Sequence, residues 1–122
     1  MTFSLLYVDD EPDLLEIGSM AIELDPEMTV RTCGSGPEAL ELLSGWTPDL
    51  ILLDMMMPVM DGPATYNGIR ERLGDHVPVV FITARTNGQD IDRLISLGAK
   101  GVIAKPFDPM TLAAQIRGFL QE

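Results

Sequence analysis

Residues 49–58 (DLILLDMMMP) decide the fold of this chain. Residues 50–53 are apolar without alternation, and prolines at positions 48 and 58 bound the segment. A short apolar run with such boundaries predicts a strand buried on both faces, as in the centre of a parallel sheet. Asp54 follows the run directly, so we expect its carboxylate at the carboxyl end of a central strand, where open α/β sheets bind ligands. Considered alone, Asp54 is better interpreted as a strand-terminating residue that caps the turn that follows.

Four further segments predict strands, and amphipathic patterns between them predict helices. The strand segments are residues 3–8, 28–33, 78–83 and 101–104. We expect Val30 to be the clearest core residue of the second strand, and Ile17 and Ile95 to face the core from the first and fourth helices. The strict alternation of five strands with five helices predicts one domain over residues 1–122, a doubly wound parallel α/β sheet with helices on both faces.

The composition limits the classes of function. With 19 acidic and 8 basic residues, the 122-residue chain has a net charge of −11. This charge predicts no direct binding to nucleic acid and none to a membrane, because phosphates and anionic lipids would repel the protein. Cys33 is the only cysteine, which excludes an internal disulfide and a cysteine-clustered zinc site. The sequence shows no basic leader and no apolar run long enough to cross a bilayer, so we expect a cytoplasmic protein.

Polar side chains follow four of the predicted strands. Asp9 and Asp10 follow the first strand, Asp54 the third, Thr83 ends the fourth, and Lys105 follows the fifth. Because parallel strands present their carboxyl ends at one edge of a sheet, we expect these five side chains to converge. Each has an ordinary alternative, since paired acids often solvate a loop, threonine is common in strands and a lone lysine usually lies at the surface. Their shared position at strand ends favours a common site.

The residue types at this edge indicate phosphoryl chemistry. Three close carboxylates repel one another, and one would take up a proton unless a cation intervened. Hard oxygen ligands favour Mg²⁺, which keeps several waters and can also hold a phosphate. Mg²⁺ and the Lys105 ammonium together would balance the three carboxylates. Aspartate can form an aspartyl phosphate, so Asp54 could attack phosphorus in line while Mg²⁺ and Lys105 hold the phosphoryl oxygens.

Four motifs resemble those of response-regulator receiver domains, the phosphoacceptor modules of two-component signal transduction. They are YVDDEP at 7–12, LLDMMMPVMDG at 52–62, VVFITA at 79–84 and AKPF at 104–107. The resemblance covers essentially the whole chain, in order and with suitable spacing. It implies a flavodoxin-like (βα)5 fold with strand order 2-1-3-4-5.

The resemblance also implies roles for residues at the metal and phosphoryl sites. Asp54 would be the phosphoacceptor, and Asp10 would bind Mg²⁺ directly. Asp9 would bind Mg²⁺ through water, and the backbone carbonyl of Met56 would be a further ligand. Lys105 would pair with the phosphoryl group.

The signalling roles follow from the same resemblance. Thr83 would donate a hydrogen bond to the phosphoryl group and pull the following loop inward. The Lys105–Pro106 bond is expected to be cis, a conformation that X-Pro bonds adopt at low cost. A histidine kinase or histidine phosphotransfer protein would supply the phosphoryl group, and an unknown target protein would read the state. Such a domain is a regulator rather than an enzyme, because it catalyses only its own phosphorylation and slow dephosphorylation.

The chain departs from the common receiver pattern at three positions. Val102 stands where many receivers carry an aromatic switch residue, so an aromatic rotamer switch is impossible here. The expected signal is instead movement of the 83–86 loop and the fourth helix. The resemblance implies that Met56 and Arg85, two residues after Asp54 and Thr83, flank the phosphoryl site. Neither can act as a general base, which predicts slow dephosphorylation.

Two other functions are compatible with parts of the pattern. A phosphohydrolase of the haloacid-dehalogenase type also uses an aspartyl nucleophile, but it needs a second aspartate two residues later, where this chain has Met56. A receiver that serves only as a binding surface is the other alternative. The complete set of acids, Thr83 and Lys105 argues against it.

Overall fold

The computed structural model describes residues 2–120, and within them it confirms the predicted fold class. The strands are β1 (Phe3–Val8), β2 (Met28–Cys33), β3 (Leu50–Asp54), β4 (Val79–Thr83) and β5 (Gly101–Ala104). The helices are α1 (Pro12–Ile22), α2 (Gly36–Leu42), α3 (Gly62–Leu73), α4 (Gly88–Leu97) and α5 (Leu112–Leu120). All paired strands are parallel, and their order is β2-β1-β3-β4-β5. The predicted order 2-1-3-4-5 is therefore correct.

The sheet separates two apolar cores. One core packs α2, α3 and α4 against the sheet through Leu40, Tyr66 and Leu94. The other packs α1 and α5 through Ile22 and Leu112. Because both faces are covered, every residue of β3 and β4 is buried, which explains their continuous apolar sequences.

Local sequence signals fix where the helices begin and end. The Ser35 hydroxyl accepts a hydrogen bond from the Glu38 backbone N–H at 3.2 Å and starts α2, as the Ser-Gly-Pro-Glu pattern predicts. Asp61 caps α3 by accepting from the Ala64 N–H at 2.9 Å. Gly62 follows that cap because a Cβ there would lie 2.5 Å from the Asp54 carbonyl oxygen. The start of α3 can therefore pack directly against the end of β3.

Three predicted core positions are wrong. Val30 is only half-buried, and Met28 and Cys33 are the buried residues of β2. β2 is an edge strand, so its middle is covered less completely than a central strand. Ile17 and Ile95 are each 46% exposed, because Gly18 and Leu94 take the inward direction about 100° around their helices.

Two further predictions are tested by the backbone. The Lys105–Pro106 peptide bond is cis, as the resemblance implies. None of the helices within residues 2–120 combines the length and the apolar character needed to span a bilayer.

Candidate functional site

The carboxyl edge of the sheet brings the predicted acids together. Asp9 directly follows β1, and Asp54 ends the neighbouring strand β3. One carboxylate oxygen from each of Asp9, Asp10 and Asp54 lies within 4.8 Å of the others. Asp9 and Asp54 are almost completely buried, whereas Asp10 is exposed. The site therefore has two inner carboxylates and one that faces solvent.

Lys105 is the cation that the inner carboxylates share. Its Nζ atom lies 2.8 Å from Asp9 Oδ2 and 3.2 Å from Asp54 Oδ1, and Glu11 Oε1 lies at 3.6 Å. Only 12% of the Lys105 side chain is exposed. Burial lowers the pKa of this ammonium, but hydrogen bonds and charges of Asp9 and Asp54 outweigh burial and leave the pKa above its usual value. Lys105 therefore stays charged at neutral pH.

One ammonium does not neutralise this cluster. Burial raises the pKa of Asp54 to about 7, and the nearby Asp9 charge acts in the same direction. Lys105 and a hydrogen bond from the Met56 N–H to Asp54 Oδ1, at 3.4 Å, oppose the rise only in part. Without another cation, Asp54 is thus partly protonated at neutral pH.

Asp9 is held by donors on both of its oxygens. Oδ1 accepts a hydrogen bond from the Glu11 backbone N–H at 3.0 Å. Oδ2 accepts one from the Tyr7 hydroxyl at 3.1 Å, in addition to its contact with Lys105. The Asp9 carboxylate therefore has a fixed orientation, whereas the exposed Asp10 carboxylate is accessible to a ligand from solvent.

Thr83 reaches the same edge, but its hydroxyl is engaged elsewhere. It donates to Met55 Sδ at 3.6 Å and accepts from the Arg85 backbone N–H at 2.9 Å. Thr83 is buried and ends β4. These contacts connect the hydroxyl to the residue after Asp54 on one side and to the following loop on the other.

Sequence reasoning did not assign Tyr7, Glu11 or Met55 to the site. Tyr7 could have been found, because residues i and i+2 of a strand share a face and a hydroxyl two residues before Asp9 lies below it. Glu11 could not have been assigned from the sequence, because an acid next to Asp9 and Asp10 does not by itself indicate a contact with Lys105. The Met55 contact depends on side-chain rotamers, and the sequence contains no signal for it.

The donor set fits a hard divalent cation. Carboxylate oxygens from three residues are the ligand type that Mg²⁺ prefers, and the exposed position of Asp10 leaves room for waters. The acidic cluster could therefore bind a metal. The carbonyl oxygen of Met56 as a further ligand stays a prediction.

Comparisons with known proteins match nearly the whole chain. The response regulator receiver domain family matches residues 5–117. A transcriptional regulatory protein CpxR homolog of Haemophilus influenzae is 41% identical over 119 residues, 96% of this chain and 50% of that protein. The DNA-binding response regulator MtrA of Mycolicibacterium smegmatis is 35% identical over 117 residues, again 96% and 50%. The structure of the Vibrio cholerae chemotaxis protein CheY4 superposes with a TM-score of 0.89 at 28% identity, over 98% of this chain and 99% of that one.

The fold and the acidic edge define a doubly wound α/β protein with a cluster that could bind a metal. More specifically, this chain belongs to the response regulator receiver domain family of two-component systems. The predicted family is thus confirmed, and a histidine kinase partner is expected of a member. The chain covers 50% of the length of each of the two curated relatives named above.

Proposed function

We propose that residues 1–122 work as one cytoplasmic receiver domain in which Asp54 accepts a phosphoryl group. A histidine kinase or histidine phosphotransfer protein supplies the group in a Mg²⁺-dependent reaction, and the phosphorylated domain presents a changed surface to a target protein. One observation carries the proposal: the buried Asp54 carboxylate ends the central strand within 3.2 Å of Lys105, beside two further carboxylates.

The residues of the site have separate tasks in this reaction. An Asp54 oxygen forms a bond to phosphorus, the phosphorus–nitrogen bond of the donor phosphohistidine breaks, and the imidazole leaves with the electron pair. Lys105 moves from the carboxylates to the transferred phosphoryl oxygens, because its flexible stem can follow them. Asp9, Asp10, Asp54 and the Met56 carbonyl would hold Mg²⁺, which supplies charge neutralisation for the phosphoryl oxygens when bound.

The chain's own contacts suggest how the state is read. For Thr83 to bond a phosphoryl oxygen, its hydroxyl must leave Met55 and take the adjacent loop with it, because the Arg85 N–H is bonded to the same hydroxyl. Val102 is half-buried and cannot act as an aromatic switch. We therefore assign the signal to movement of the 83–86 loop and α4.

Transfer from a small phosphodonor tests the assignment of Asp54. Acetyl phosphate with Mg²⁺ should add one phosphoryl group, detected by mass spectrometry and mapped to the peptide containing Asp54. The Asp54→Asn protein should gain none, because an amide is not a nucleophile for this transfer. EDTA should also prevent the modification.

Asp49→Asn is the matched control, because Asp49 precedes the same strand at its opposite end and accepts a structural hydrogen bond from the Ser4 N–H. It should be phosphorylated like the parent. Equal labelling of the Asp54→Asn protein would overturn the proposal, and complete absence of labelling in the parent would favour a binding-only receiver.

A further inference from the structure

Tyr7 carries the one polar group among the four buried side chains of β1, Leu5–Val8. Its side chain is fully buried in the core between the sheet and helices α1 and α5. Its hydroxyl donates to Asp9 Oδ2 at 3.1 Å, directly below the acidic edge. Burial and the neighbouring Asp9 charge keep the pKa of the Tyr7 phenol well above its usual value, so it remains a donor. The buried Tyr7 hydroxyl thus donates a hydrogen bond to the Asp9 carboxylate, which solvent does not reach.

The packing around the ring is adapted to this tyrosine. Gly18 of α1 lies against it, and a Cβ at that position would be 2.5 Å from Tyr7 Cε2. The helix can therefore approach the strand closely enough to bury the whole ring only because residue 18 has no side chain. This close contact limits the positions that the ring can take and holds the hydroxyl at Asp9.

Asp9 Oδ2 accepts hydrogen bonds from two side chains, one of which can move away from it while the other is held in place. Lys105 Nζ lies 2.8 Å away but also contacts Asp54 at 3.2 Å, so it is shared between two acids. In the function proposed above, Lys105 leaves for the phosphoryl oxygens. The Tyr7 hydroxyl cannot follow, because its ring is enclosed by the core. A buried carboxylate oxygen that loses its last donor is strongly destabilised.

We propose that Tyr7 is a positioning residue that keeps the Asp9 carboxylate satisfied and oriented when Lys105 moves to a phosphoryl group on Asp54. This inference rests on the proposed function. Two consequences follow. Among residues 2–120, loss of the hydroxyl leaves Lys105 as the one side-chain donor to Asp9 Oδ2 and so restrains its departure. It also leaves Asp9 less well oriented towards a divalent cation, most of all once a phosphoryl group has drawn Lys105 away.

The Tyr7→Phe protein tests this inference, because it keeps the ring and removes only the hydroxyl. The affinity for Mn²⁺ alone should fall modestly, by about threefold, and the Mg²⁺ concentration for half-maximal binding of beryllofluoride, a phosphoryl mimic, should rise by about tenfold. The first is measured by calorimetric titration and the second by ¹⁹F NMR. Neither measurement depends on the rate of phosphoryl transfer.

Tyr66→Phe is the matched control, because Tyr66 is the only other tyrosine and its hydroxyl bonds Arg70 rather than the site. It should leave both values unchanged. Tyr7→Leu, which also lacks the hydroxyl, should repeat the effect of Tyr7→Phe.

The inference would be overturned if Tyr7→Phe weakened divalent-cation binding by the same factor with and without beryllofluoride, since a general loss of packing acts on both states alike. Values for Tyr7→Phe that match those of Tyr66→Phe would overturn it as well. Failure of the proposed function is seen separately, because the parent protein would then bind no beryllofluoride at all.

Discussion

A surface cluster and a buried cluster of this protein each gather carboxylates around one cation, yet the pKa of an aspartate is lowered in the first and raised in the second. At the amino edge of the sheet, Arg117 Nη2 lies 2.6 Å from Asp25 Oδ2 and 2.9 Å from Glu27 Oε1. Backbone hydrogen bonding at Glu27 and the Arg117 side chain lower the pKa of Asp25. At the carboxyl edge, Lys105 is shared by Asp9 and Asp54, and the pKa of Asp54 is raised to about 7.

Burial explains the difference. The side chains of the Arg117 cluster are 17 to 47% exposed. Water therefore stabilises both carboxylates, together with the guanidinium, which donates twice to Asp25 Oδ2 and once to Glu27 Oε1. The Asp9 and Asp54 side chains are 0% and 4% exposed, and little solvent compensates their repulsion. The charges of the surface cluster are compensated by Arg117 and water, whereas the negative charge of the buried cluster requires a further cation. Such a deficit is what marks a binding site.

The largest expected effect concerns the divalent cation. Asp10→Asn removes the solvent-facing carboxylate of the buried cluster and should weaken Mg²⁺ or Mn²⁺ binding by about 100-fold, at the upper end of the losses seen for altered metal sites. Asp25→Asn, in the surface cluster, should leave the affinity unchanged. Calorimetric titration of both proteins measures this. The comparison fails if the two variants lose affinity to a similar extent.

In EDTA, replacing an aspartate of each cluster by asparagine should change the free energy of unfolding in opposite directions. The Asp54 pKa is higher in the folded protein than its ordinary value of 3.8, so its contribution to stability is present below pH 3.8 and is lost as the pH rises through 7. Asp54→Asn should therefore raise the free energy of unfolding above pH 7 by about 4 kcal/mol and have little effect below pH 4. Urea denaturation across this pH range provides the measurement.

Asp25 is the control for that experiment, because its pKa is lowered. Its contribution is present above its unfolded pKa and is lost as the pH falls, so Asp25→Asn should destabilise the protein at neutral pH. Stabilisation by both substitutions would mean that burial does not distinguish the clusters.

The smallest effect concerns the connection between the buried cluster and the 83–86 loop. Thr83→Ala should accept a phosphoryl group almost as well as the parent but show a narrower set of amide shifts on phosphorylation, because the loop has lost its link to the site. Thr83→Ser retains a hydroxyl and should respond like the parent. If the alanine variant shifts as widely in heteronuclear NMR spectra, another residue is the relay.

The sequence allowed the carboxyl edge to be predicted because the strands have distinct ends. The apolar runs stop at polar residues, and a parallel sheet then brings Asp9, Asp54 and Lys105 to one edge whatever the details of packing. The helix faces were harder, since Ile17 and Ile95 fit a helical pattern as well as their buried neighbours do.

The charge imbalance of the site could be predicted only in part. The sequence contains three acids and one lysine at the strand ends, but not the degree to which each is buried. A large cavity gives a misleading signal, because it measures about 920 Å³ and lies at the amino edge, lined by Asp49, Arg70 and His76 among others. Unbalanced buried charge identifies the site better than cavity size.

Site-resolved carboxyl titration tests the central claim most directly. The ¹³Cγ resonances of Asp54 and Asp25 are followed against pH by NMR, first in EDTA and then with saturating Mg²⁺. We expect Asp54 to titrate near pH 7 in EDTA and to move to lower pH with Mg²⁺, while Asp25 titrates below 3.8 in both conditions. An Asp54 midpoint at or below 3.8 in EDTA, or an equal effect of Mg²⁺ on both residues, would contradict the account.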